Sequence, residues 1–107
     1  MSEYPEYDIT IKSGAEFVFT FRVKTEDGEP EDLTGKTVRA QLRATAHNYE
    51  AFDFTCTHSG AGGTVTISMS HDQTSRIRFM NGVYDVFVDE KDCVMGGKAE
   101  IIPAVTR

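Results

Sequence analysis

The sequence predicts an all-β fold, an antiparallel β-sandwich of about seven short strands with one short helical turn. Three observations predict it. From Tyr7 onward, apolar and polar residues alternate with a period of two in run after run, which puts successive side chains on opposite faces of a sheet. Gly, Pro, Asn and Asp interrupt these runs at spacings of roughly 8 to 15 residues, the rhythm of sheet turns. Between Tyr7 and the end, His71 to Arg78 is the clear stretch without alternation, so the crossover helices of βαβ units have no place.

Residues 1 to 8 read as an N-terminal arm and 9 to 107 as a single sandwich domain, since 107 residues is about the length that one core organises. Glu16 to Lys24 is the clearest strand, with Phe17, Phe19, Phe21 and Val23 on one face and Val18, Thr20, Arg22 and Lys24 on the other. Thr25 to Asp32 is a loop: Asp27-Gly28 and Pro30 are turn residues and its acids are well solvated. Lys36 to Thr45 alternates again, Val38, Ala40 and Leu42 inward against Arg39, Gln41 and Arg43 outward. Glu50 to Thr57 places Phe52, Phe54 and Cys56 on one side and forms a hairpin with Thr64 to Ser70, where Val65, Ile67 and Met69 alternate, across the break from Ser59 to Gly63.

Ser70 followed by Asp72, Gln73 and Thr74 suits the capped start of a helical turn. After Asn81-Gly82, Val83 to Glu90 is rich in β-branched and aromatic residues and reads as a strand, Asp89 to Asp92 as a tight turn, and Lys98 to Thr106 as the last strand, with Pro103 on an edge or past the ladder. The expected core is Phe17, Phe19, Phe21, Val38, Leu42, Val65, Ile67, Tyr84 and Val86.

With 11 basic and 17 acidic residues, a formal net charge of -6, the chain is not built to adhere to nucleic acid or to an anionic membrane. No apolar run approaches the roughly 18 residues of a membrane span. Met1 to Asp8 lacks the basic start of an export signal, so the expectation is a soluble protein made in the cytoplasm, with Cys56 and Cys93 as unbridged thiols, Cys93 the more accessible. The charge is lopsided. Residues 1–35 hold Glu3, Glu6, Asp8, Glu16, Glu26, Asp27, Glu29, Glu31 and Asp32 against Lys12, Arg22 and Lys24, while acids and bases balance in the remainder.

Chemistry-bearing motifs are few. His47, His58 and His71 lie near predicted loops without the close spacing of metal ligands and read as solvated histidines, so no metal site is expected. The acids from Glu26 to Asp32 lack the ligand spacing and closing glutamate of an EF-hand. The Gly60, Gly62, Gly63 run lacks the Lys-Ser/Thr ending of a phosphate loop, and neither a G-x-S-x-G elbow nor H-E-x-x-H occurs, so no catalytic residue and no cofactor is expected. Candidate interface residues are Tyr4 and Tyr7 around Pro5 in the arm, Arg39 and Arg43 on one outward strand face, and Arg76 and Arg78 bracketing Ile77. The acidic start and the arginines of the remainder would let copies pair head to tail, giving a homo-oligomer or repeated copies in an assembly. Gly82 and Tyr84 read as a structural corner in which a tyrosine opening a strand hydrogen-bonds back across the preceding connection.

Three stretches carry a family resemblance: Ser13 to Arg43, with Asp27, Gly28, Pro30, Asp32, Leu33, Thr34 and Gly35 as a D-G-x-P-x-D-L-T-G hairpin; Ser70 to Val88, with Thr74, Ile77, Gly82 and Tyr84; and the glycine-led ending Gly96 to Arg107. Together they resemble the immunoglobulin-like β-sandwich domains of structural proteins of tailed bacteriophages, including the N-terminal domain of baseplate upper proteins. The resemblance runs from about Ile9 to Arg107 and implies an immunoglobulin-like sandwich and a non-enzymatic virion component with other virion proteins as partners. Baseplate upper proteins continue into helical, receptor-facing parts, so a stand-alone adaptor of baseplate, tail or neck is the expectation, with capsid decoration as the alternative. Two other classes, a carbohydrate-binding module and a small hydrolase, are weakened by the absence of Trp, the inward Phe pattern and the missing nucleophile motifs.

Overall fold

The computed structural model describes residues 6–25, 27–45, 50–89 and 92–105. Among the described residues the alternating patterns become eight strands in two sheets. β1 (Ile9–Lys12), β8 (Asp92–Ile102), β7 (Asn81–Val88), β3 (Val38–Arg43) and β4 (Phe52–Asp53) form one sheet in that order, and β2 (Phe17–Arg22), β6 (Thr64–Met69) and β5 (Thr55–His58) form the other. All pairs are antiparallel except β1 with β8, which run parallel with Ile9 opposite Ala99. Between the sheets lie Ile9, Ile11, Leu42, Phe54, Val65, Ile67, Met69, Tyr84, Val86, Ala99 and Ile101, all buried.

The core differs from the sequence expectation in its centre. Leu42, Val65, Ile67, Tyr84 and Val86 are buried as predicted, but Phe17, Phe19, Phe21 and Val38 are only partly so and pack against the core's flank. β2 is an edge strand, and alternation alone does not distinguish an edge from a centre. Ile9, Ile11, Ala99 and Ile101, on the parallel β1–β8 pair, are buried in the core although the sequence expectation did not include them.

Three elements are drawn differently from their predicted bounds. The run read as a single strand from Glu50 to Thr57 changes sheets at Phe54: Phe52–Asp53 pairs with β3 and Thr55–His58 with β6. Inward alternation survives the change because both sheets look into one core, and the buried Phe54 ring meets Phe17 at 5.9 Å and Tyr84 at 6.4 Å between centroids. The final strand begins at Asp92 rather than Lys98 and carries a bulge opposite Val86/Phe87. The acidic loop is anchored just past its end, where Leu33 is fully buried and its N–H donates to the Gly60 carbonyl at 2.9 Å.

The helical turn is α1 (His71–Ser75), and its capping box is complete: the Gln73 N–H donates to Ser70 Oγ while the Ser70 N–H donates to the Gln73 side chain. Fully buried Thr74 ties the turn to the β1–β2 connection, donating to the Ala15 carbonyl at 2.9 Å and accepting from the Gly14 N–H at 3.0 Å. Cys56 and Cys93 are free, on different sheets, and burial pushes both thiols up. No helix among the described residues is long and apolar enough to cross a membrane.

Candidate functional site

The outer face of the five-stranded sheet holds the densest set of polar side chains that the sequence singled out. Alternation turns Arg39, Gln41 and Arg43 of β3 outward, and the β3–β7 register sets Asp85 opposite Gln41 and Val83 opposite Arg43. Gln41 is the centre of a short relay: its amide nitrogen donates to Asp53 Oδ1 at 2.7 Å and its oxygen accepts from the Arg43 guanidinium at 3.1 Å. Burial against the sheet pushes the Asp85 carboxyl up, and the Arg43 charge offsets part of that.

On the other side of this face the arm forms a wall. Glu6 bridges to Gly96 in parallel sense, the Tyr7 N–H donates to the Gly96 carbonyl at 2.8 Å, and Asp8 Oδ1 accepts from the Lys98 N–H at 3.0 Å. Gly97 makes this approach possible, because a Cβ there would collide with the Tyr7 carbonyl. The result is an open trough rimmed by Glu6 and Asp8 on one side and Gln41 and Arg43 on the other, with Asp85 and Lys98 along its length. Both signs of charge line it, and it is open to solvent and does not enclose a small ligand.

The Tyr84 corner is closed differently from the expectation. Its hydroxyl donates to the carbonyl of Tyr7, in the arm, and not back across the α1–β7 connection. Desolvation, followed by the nearby Asp8 charge, pushes Tyr84 up to about 12. Thr74, which the sequence reading placed in the capped turn and in the family motif, ties α1 instead to the β1–β2 connection. Gly82 is required because a Cβ would meet the Arg43 carbonyl at 2.6 Å and the Phe79 ring at 2.7 Å.

The candidate interface residues do not form one patch. Arg39 and Arg43 share the outer sheet face; Arg76 and Arg78 are exposed on either side of buried Ile77 in the α1–β7 connection, where Arg78 borders a second groove with Phe79, Met80 and Pro103. The Tyr7 ring is 54% exposed and stacks on Phe19 of its own sandwich at 5.0 Å. Tyr4 lies outside the described residues, as does His47. His58 is a structural pin rather than a solvated loop histidine: its Nδ1 accepts from the Gly60 N–H at 3.0 Å, which leaves Nε2–H to donate to the Lys36 carbonyl at 2.9 Å. His71 is exposed beside Asp72, and no group of three or more potential metal ligands occurs among the described residues.

Known structures recognise this arrangement of strands. A mutant of the titin I27 domain, solved by NMR in solution, superposes with a TM-score of 0.52 at 11% identity, over 98% of this chain and 90% of that one. The fold is immunoglobulin-like. Chains from studies of voltage-gated sodium channel β subunits in cell adhesion are similar at lower scores, TM-score 0.49 with 11% identity over 97% of this chain and 96% of that one, and for the β4 extracellular domain 0.46 with 10% identity over 100% and 93%. No protein-family model and no curated protein matches the chain. The immunoglobulin-like strand layout agrees with the sequence expectation of an all-β sandwich, and its two cysteines make no bridge between the sheets.

Proposed function

We propose that this protein is a non-enzymatic structural component of a tailed-phage virion, in baseplate, tail or neck, that acts through contacts with other virion proteins as a homo-oligomer or as repeated copies. The observation that carries this reading is the mixed-charge trough on the outer sheet face, where Arg43, Gln41 and Asp53 are already fixed by hydrogen bonds to one another. A preorganised polar surface with both signs of charge selects and orients a protein partner at low ordering cost, whereas it offers a small substrate no enclosure and polyanionic nucleic acid no uniform field. The sequence resemblance to phage immunoglobulin-like domains supplies the setting; the alternative within it is capsid decoration. The protein would be made in the bacterial cytoplasm and reside in the particle.

Quantitative mass spectrometry of particles purified from a culture expressing the gene tests this. The expected result is a fixed copy number per particle, reduced at least tenfold by Arg43→Glu with Lys98→Glu in a chain that still folds. Absence of the wild-type chain from particles would overturn the proposal.

A further inference from the structure

Sheet edges are templates for pairing, and natural proteins protect them with short strands, lysine, proline or bulges. Three of the four edges here are short: β4 has two residues, β5 four, and β1 four with Lys12 at its end. β2 is different. It runs six residues, Phe17 to Arg22, in unbroken register with β6, contains no Pro, Gly or Lys, and among the described residues pairs on one side only. Its inward face is three phenylalanines that the sandwich covers only in part, and on its outward face Val18 is 58% exposed.

From this we infer that β2 pairs antiparallel with β2 of a second copy about a two-fold axis at Phe19, joining two three-stranded sheets into a six-stranded one. The strand's own sequence selects the register. With Phe19 opposite the second copy's Phe19, Phe17 faces Phe21, Val18 faces Thr20 and Glu16 faces Arg22, so inward stays inward, outward stays outward, and unlike charges meet at both ends. Glu16 and Arg22 are both exposed and have no partner among the described residues. In a register moved two residues toward the C-terminus Arg22 loses its acid and faces Val18, and Glu16 is set against Lys24, beyond the end of β2. Moved two residues the other way, Arg22 loses its acid and faces Gly14. The partly covered Phe17, Phe19 and Phe21 rings then meet those of the second copy. This pairing concerns the isolated chain and stands whether or not the virion assignment holds.

Sedimentation equilibrium at concentrations up to about 1 mM, where contacts of modest size assemble, tests the pairing. The expected result is a dimer that Arg22→Glu weakens about tenfold, because like charges then oppose each other twice, and that Glu16→Arg added to Arg22→Glu restores to near the wild-type constant. Circular dichroism checks that the variants fold. A mixed isotope-labelled sample of the wild-type protein adds a measurement free of substitutions: nuclear Overhauser contacts between the Val18 methyls of one copy and the Thr20 methyl of the other are expected. A chain monomeric throughout, a dimer indifferent to Arg22→Glu, a double variant that does not recover, or the absence of the Val18–Thr20 contacts would each overturn the inference.

Discussion

Replacing Thr74 by Val changes the shape of the side chain hardly at all and removes the one hydroxyl that fastens α1 to the β1–β2 connection. In the wild type that hydroxyl lies at 0% exposure, 2.9 Å from the Ala15 carbonyl and 3.0 Å from the Gly14 nitrogen. Valine leaves both groups without their partner. A buried polar group stripped of its hydrogen bond costs about 1–3 kcal/mol. Gly14 and Ala15 are themselves exposed, so water recovers part of that, and the expected loss is about 2 kcal/mol for the pair. Thr74→Ser keeps the hydroxyl and deletes one buried methyl, a loss of about 1 kcal/mol. For a domain of this size 1 kcal/mol corresponds to roughly 4–8 °C in melting temperature, so the valine variant should melt about 10 °C lower and the serine variant about half as far. Urea unfolding with an unchanged slope would assign both effects to stability. A valine variant as stable as wild type, or a serine variant less stable than the valine one, would refute the reasoning, because packing and not the hydroxyl would then be what matters at this site.

Other substitutions probe the remaining contacts. Tyr84 is held neutral up to about 12 in the fold and ionises near 10 when unfolded, so its contribution is complete below pH 10 and is lost as pH rises through 12; Tyr84→Phe should flatten that alkaline decline, worth below roughly 2.7 kcal/mol once solvent screening is allowed for, as followed by urea titration at stepped pH. Gly63 has a φ of 70° and a Cβ there would sit 2.8 Å from the carbonyls of both Glu31 and Val23, so Gly63→Ala should destabilise by at least about 2 kcal/mol, and an unaffected midpoint would show that the loop relaxes freely. Phe19→Ala, at a half-covered edge position, should cost about 2 kcal/mol against 2–5 kcal/mol for Ile67→Ala at the centre; the reverse order would put β2 in the middle of the core.

How much of this was legible in the sequence depends on which interactions are local. Period-two alternation marked β2, β3 and β6, and β-branched and aromatic content marked β7, within two or three residues of their ends, and Ser70 with Gln73 marked the capped turn, since each signal sits inside its own element. Sheet membership is not local. Phe52, Phe54 and Cys56 keep one periodicity through a change of sheets, so nothing in the run announces the switch at Phe54. Gly96-Gly97 stands ahead of the last strand as read from Lys98, yet it lies inside β8 because the bare backbone makes room for Tyr7, a residue about 90 positions earlier in the chain. The same long reach hides the partner of the Tyr84 hydroxyl. Leu33 was passed over because the acids around it describe the loop's surface and not the single side chain it sends inward. Of the site, Arg39, Gln41 and Arg43 were visible as one outward face; the facing Asp53, Asp85 and arm carboxylates were brought to it by strand order, which the sequence does not spell out.

The central proposal, that the chain works by burying the outer face of its five-stranded sheet against a neighbouring protein, is tested most directly by an electron cryo-microscopy map of the virion in which it is proposed to reside. The account predicts density for an immunoglobulin-like sandwich at repeated positions, with Arg43, Asp85 and Lys98 covered by another chain. A particle map with no such sandwich, or one in which that face points into solvent while the contact is made elsewhere, would contradict it.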